Sequence, residues 1–127
     1  ESSAASDVYK RQAYDGPSLV IGYSPCEMHS IKKGGMMNCQ SEMKKAVDCG
    51  YWNLFRFNPA APEGKKFSLD SKEPAGGYQE FLMNEARYAS LTRAFPERAK
   101  ELFAENEEAA MQRYAHLLKL KAVYNEA

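Results

Sequence analysis

The sequence predicts an α/β fold: the end of a parallel-sheet domain, built as strand, helix and strand, followed by a long connection and two helices. Three observations predict it. Residues 18–23, SLVIGY, form a short continuous apolar run between Gly16-Pro17 and Ser24-Pro25, which suits a strand buried on both faces of a parallel sheet. Residues 39–49 put Met43, Ala46 and Val47 on one face at helical spacing, with Gly50 as the C-cap. Residues 51–57, YWNLFRF, are aromatic-rich and roughly alternating, and Asn58-Pro59 ends them as a second strand.

The remaining elements follow in order. Residues 24–38, with Pro25 and Gly34-Gly35, are too broken for a long helix and read as loop. Residues 60–77 are rich in Pro, Gly and Lys and form an extended surface connection. From 78 to 91, Phe81, Leu82, Glu85, Tyr88 and Ala89 recur at helical spacing. Pro96 then opens a second helix, whose inner face takes Ala99, Leu102, Phe103, Ala110, Tyr114, Leu117 and Lys121. Two strands alone make a poor parallel sheet, so residues 13–59 are expected to end a larger α/β domain, with 60–77 the connection and 78–127 the C-terminal helices.

Residues 1–12 are set apart. SSAASDVYKRQ, residues 2–12, matches the in-frame translation of a transposase-type sequencing adapter and is expected not to be native protein. In the 127-residue chain 17 Lys and Arg balance 17 Asp and Glu, and dropping residues 1–12 removes two charges of each sign. A neutral chain lacks the basic excess that draws proteins to nucleic acid or anionic lipid, and no apolar run approaches the roughly 20 residues that cross a bilayer. The expected partners therefore include no nucleic acid and no membrane.

Chemistry could reside in the three cysteines, whose odd number argues against a secreted disulfide scaffold. Cys26 follows the carboxyl end of the first predicted strand, where ligands of open α/β sheets bind. With His29, Cys39 and Cys49 it would make a zinc set, but only one close pair is present and Cys49 ends a helix. Cys39 and Cys49 also read as buried or incidental thiols. One iron-sulfur ligand is a further reading of Cys26, with the other thiolates supplied elsewhere. His29 reads as an ordinary polar loop residue, and Arg56 as a strand residue or a phosphate partner. Asp70 and Glu73 suit turn chemistry, while Glu97, Lys100, Glu101 and Glu105 suit a solvated helix face. No Gly-rich phosphate loop and no paired-carboxylate motif stands out.

Four stretches in succession, GPSLVIGYSPCEMHSIKKG, KKAVDCGYWNLFRFNP, FSLDSKEP and YQEFLMNEARYASLTRAFPERA, resemble the C-terminal part of the pyruvate:ferredoxin (flavodoxin) oxidoreductases. The resemblance covers residues 13–127. It implies a large cytoplasmic enzyme of anaerobic metabolism, usually a homodimer. Such an enzyme cleaves pyruvate with coenzyme A to acetyl-CoA and CO2, passing electrons from thiamine diphosphate and its Mg through 4Fe-4S clusters to ferredoxin or flavodoxin. It places this stretch at the end of the thiamine-diphosphate-binding domain and makes Cys26 the remote fourth thiolate of the cluster nearest the thiamine. Met28 and His29 would lie around that ligand. The other three thiolates and the thiamine-diphosphate motif belong upstream, so the 127-residue chain alone is expected to be inactive, with no catalytic residue of its own. The sequence departs from the family at Gly22, where Ala is common, at Ser30, where Gly is frequent, and in a shorter loop before FSLD. The alternatives are an oxidoreductase for another 2-oxoacid and a small thiol- or zinc-binding interaction module.

Overall fold

The computed structural model describes residues 12–126. All but Gln12 of the stretch matched to the adapter lies outside the described residues. The fold is a small mixed helix-and-strand assembly. A 3-10 turn, Gly35–Asn38, leads into α1, Cys39–Asp48; β1 is Phe55–Phe57 and β2 is Phe67–Leu69; α2 is Tyr78–Asn84, α3 Ala86–Ala94 and α4 Pro96–Asn125.

The expected helix 39–49 forms, and Gly50 ends it as expected: its φ of 82° is left-handed, and its N–H returns to the carbonyl of Val47 at 3.2 Å. A Cβ there would stand 2.8 Å from Pro74 Cγ, so both conformation and space demand glycine. The buried face is rotated by one residue from the expected one. Glu42, Ala46 and Cys49 point inward, while Met43 and Val47 are half-buried.

The strand-helix-strand unit is not present among the described residues. Residues 18–23 run without helix or strand assignment, and Leu19, Val20 and Ile21 are 84%, 61% and 69% exposed. A parallel strand needs neighbours on both sides and cover on both faces, and this chain supplies neither at that point. The second expected strand is reduced to 55–57 and pairs antiparallel with 67–69, inside the expected connection, in the register Phe55 opposite Leu69 and Phe57 opposite Phe67. An antiparallel partner is reached by a short return of the chain, whereas a parallel one needs a crossover. The hairpin is closed at its base by the hydroxyl of Ser71, which accepts the N–H of Leu54 at 2.7 Å.

The single helix expected over 78–91 is two. Glu85 has extended backbone, φ −80° and ψ 117°, and separates α2 from α3. The helix opened by Pro96 does form and carries Pro in its first turn, as the sequence predicts. It buries Ala99, Phe103, Ala110 and Leu117; Leu102 and Tyr114 are half-buried, and Lys121 is exposed rather than inward. One core joins these helices. Ala46 and Cys49 of the α1 end pack with Tyr78, Phe81 and Leu82 of α2 and with Ala99, Phe103 and Ala110 of α4. Tyr23, Tyr51, Trp52 and Tyr88 close its edge.

Candidate functional site

Cys26 sits on a turn that is fastened at both ends and open at its tip. Before it, the Tyr23 ring stacks on Trp52 with centroids 5.7 Å apart and meets Tyr51 edge-on at 5.6 Å, while its hydroxyl donates to Glu85 Oε1 at 3.4 Å. Pro25 is buried. After it, Ile31 is buried and bridges the extended backbone of Glu85, the N–H of Lys32 donates to the Asn84 carbonyl at 2.7 Å, and the N–H of Ala86 donates to the Ser30 carbonyl at 3.3 Å. The gap between α2 and α3 is therefore the seat of the turn. Residues 27–29 form the tip, and Met28 is 92% exposed.

Within the turn, the N–H of Ser30 donates to the Cys26 carbonyl at 2.8 Å, and this closure brings His29 Nδ1 to 3.1 Å from Cys26 Sγ. The thiol is pulled below its ordinary range, first by the His29 side chain and then by the backbone N–H groups of His29 and Met28, all favouring the thiolate. A half-exposed sulfur with donors on one side is a competent single ligand for a thiophilic metal or cluster, and hydrogen bonds to a ligating sulfur tune such a centre. Residue by residue the donor set fits one corner of an iron-sulfur cluster: one accessible thiolate and its own N–H donors.

The other candidates separate. Cys49 is in the core, its Sγ aimed at the Ala46 carbonyl at 3.7 Å, and burial pushes its thiol up. Cys39 is half-buried at the start of α1. The four-residue zinc set is thus not assembled: among the described residues no three His, Cys, Asp or Glu side chains gather as metal ligands. Arg56, read as a strand residue or phosphate partner, holds Asp70 with two hydrogen bonds of 2.8 Å. Glu97, Lys100, Glu101 and Glu105 are exposed, as a solvated helix face requires.

Sequence reasoning missed the polar group beneath the turn. Glu42 and Glu85 are 2% and 1% exposed, and Asn84 Nδ2 donates to Glu42 Oε2 at 2.7 Å. Asn84 also accepts the N–H of Lys33 through Oδ1 at 3.2 Å, so one side chain joins α1 to the outgoing arm of the Cys26 turn. A signal was present: Glu85 recurs at helical spacing with Phe81, Leu82 and Ala89, and Glu42 lies four residues before Ala46.

No family model matches the chain. It is 50% identical over 111 residues to the pyruvate:ferredoxin oxidoreductase of Moorella thermoacetica, covering 86% of this chain and 9% of that protein. It is 45% identical over 116 residues to the pyruvate-flavodoxin oxidoreductase of Klebsiella pneumoniae, covering 89% and 10%. It is 42% identical over 112 residues to the mitochondrial NADP+ pyruvate dehydrogenase of Euglena gracilis, covering 84% and 6%. The chain spans about a tenth or less of the length of these relatives.

Proposed function

We propose, from the premise that this chain is homologous to one stretch of the pyruvate:ferredoxin and pyruvate-flavodoxin oxidoreductases, that it contributes a single thiolate, Cys26, to a 4Fe-4S cluster of an enzyme oxidising pyruvate. The observation that carries the reading is the Cys26 turn, a half-exposed sulfur held toward its thiolate form by His29 Nδ1 at 3.1 Å and by local backbone N–H groups. A match covering 86% of the chain includes residue 26 wherever it begins. When bound, such a cluster supplies a one-electron acceptor. The chain's own residues do the rest: Tyr23 and Ile31 hold the two arms of the turn, Cys26 presents its sulfur outward, and His29 steadies the negative charge on it.

The names of the relatives specify ferredoxin, flavodoxin and NADP+. A stretch common to all three is best assigned to a step before the final acceptor. In this reading residues 13–59 end a thiamine-diphosphate-binding domain, and exposed Leu19, Val20 and Ile21 take a place in a parallel sheet completed by the rest of the enzyme. Thiamine diphosphate with Mg, coenzyme A and the remaining cluster thiolates belong to that rest, as do dimerisation and the cytoplasmic setting. Among the described residues no helix is long and apolar enough to cross a membrane.

The test is Cys26→Ser in the intact oxidoreductase, read by low-temperature EPR of the reduced clusters. One cluster signal is expected to shift or vanish while the others persist. A spectrum identical to that of the unsubstituted enzyme would remove Cys26 from the ligand set.

A further inference from the structure

Two buried carboxyl groups lie beneath the turn, and the cluster reading uses neither. Glu42 comes from the inner face of α1 and Glu85 from the extended residue between α2 and α3. The two carboxyls lie within hydrogen-bonding reach of each other. Glu42 Oε2 has the Asn84 amide, but Oε1 has no donor among the described residues, and no ion pair reaches Glu42 there. The groups that reach Glu85 are the Tyr23 hydroxyl from the extended segment, Arg87 Nε from α3 at 3.9 Å, and Glu42 from α1. Arg87 is shared, since its Nη2 donates to the Tyr51 hydroxyl at 2.9 Å. Two ionised carboxylates in contact, out of water and with one distant cation between them, repel, and they leave a buried oxygen without a donor.

We propose that Glu85 keeps its proton at neutral pH and donates it to Glu42 Oε1, and that this shared proton clasps the Cys26 turn onto the helical body. Both arms of the turn converge on Glu85: its side chain receives the Tyr23 hydroxyl and its backbone bridges Ile31. Its neighbours Asn84 and Ala86 make the two backbone bonds to Lys32 and Ser30. A single hydrogen bond to Glu42 thus fixes the residue on which the seat depends. Glu42 and Glu85 are positioning residues, and the clasp operates whether or not Cys26 holds a cluster. Burial first, and then the Glu42 carboxylate, raise the Glu85 carboxyl above its usual range, with Arg87 and the Tyr23 hydroxyl opposing. A carboxyl that is more basic folded than unfolded gives the folded state more bound protons. Its contribution is present below the unfolded value and is lost as pH rises through the folded one.

The experiment is amide hydrogen exchange on the 127-residue chain between about pH 5 and about pH 9, corrected for intrinsic exchange, with Phe103 in the core as internal reference. Protection of the Lys32 and Ala86 amides is expected to fall as pH rises, by about tenfold for each unit by which Glu85 is raised, while Phe103 holds. Glu85→Gln, whose amide N–H can donate to Glu42 Oε1 at every pH, is expected to flatten the profile, and so is Glu42→Gln, which removes the second carboxylate. A flat profile in the unsubstituted chain, a parallel fall at Phe103, or an unchanged slope in Glu85→Gln overturns the proposal. Infrared difference spectra decide it without relying on Glu42→Gln folding: a protonated-carboxyl band at neutral pH that Glu85→Gln abolishes supports the clasp, and no such band overturns it.

Discussion

At Ser30 the backbone asks for a residue without a side chain. Its φ of 63° makes it the one non-glycine residue in the left-handed region among the described residues, and there an L side chain costs roughly 1–2 kcal/mol. The strain is held in place because the Ser30 N–H must reach Cys26 while its carbonyl accepts from Ala86. Ser30→Gly is therefore expected to raise unfolding stability by about 1 kcal/mol, seen as a higher urea midpoint at unchanged slope. A lowered midpoint would mean that the serine side chain returns more than the strain removes. The same residue shows what was legible at this scale. Cys26 and His29 could be picked from the sequence, but their contact could not, because a three-residue spacing in a loop brings side chains together only once the turn closes. Glu42 was hidden for a different reason. A carboxylate on an amphipathic helix ordinarily faces water, and only the arrival of Asn84 from α2 gives it a buried partner.

Among the elements, the break at Glu85 and the docking of the hairpin are both long-range decisions. Residues 78–94 contain neither Pro nor an internal Gly, so helix propensity alone runs straight through Glu85. Pairing with Ile31 overrides it, and Lys32 and Ala86 exchange bonds across the gap that helical continuation would have kept within the chain. The hairpin is fixed in a comparable way at the far end of α4. Asn125 Oδ1 accepts the Phe67 N–H at 3.1 Å and its Nδ2 donates to the Phe67 carbonyl at 2.8 Å, so one amide side chain does for the edge of β2 what a neighbouring strand would. Tyr124 beside it stacks on Phe67 and packs on Phe57 with centroids 4.8 Å apart. Phe67 is buried, and a buried backbone group without a partner costs about 1–3 kcal/mol. Asn125→Ala is expected to lower stability by about 2 kcal/mol and to expose the Phe67 amide to exchange. Retained protection at Phe67 would show the aromatic packing to be sufficient alone. Leu117 could be read from the apolar spacing of α4, and continuing that stripe by one heptad leads to Tyr124, but Asn125 carries no sequence signal for a strand edge.

In the molecule as a whole, α4 acts as a spine about 45 Å long, its 30 residues rising 1.5 Å each. Its first half completes the core with α1 and α2, and its last turn carries the hairpin. Both ends are covered by local partners, yet the extended segment leading into the Cys26 turn is not: Leu19, Val20 and Ile21 stand 84%, 61% and 69% exposed in a row. Each would yield roughly 1.5–3 kcal/mol on full burial, a total comparable to the marginal stability of a small domain. Consecutive residues of an extended chain point to opposite sides, so no single neighbouring surface covers all three; a sheet with both faces dressed does. That is the setting expected of a stretch homologous to a tenth of a larger enzyme. Separated from it, the 127-residue chain is expected to self-associate through this segment at micromolar concentration. Light scattering should report species larger than a monomer, and the double substitution Leu19→Asp, Ile21→Asp should return the chain to monomer while leaving the Phe103 core protected from exchange. Both substituted side chains fall on the same side of the extended segment, so loss of association by the pair, matched by no loss with Val20→Asp alone, would identify that side as the one the sheet packs against. A monomeric unsubstituted chain would mean that the segment finds cover within its own fold.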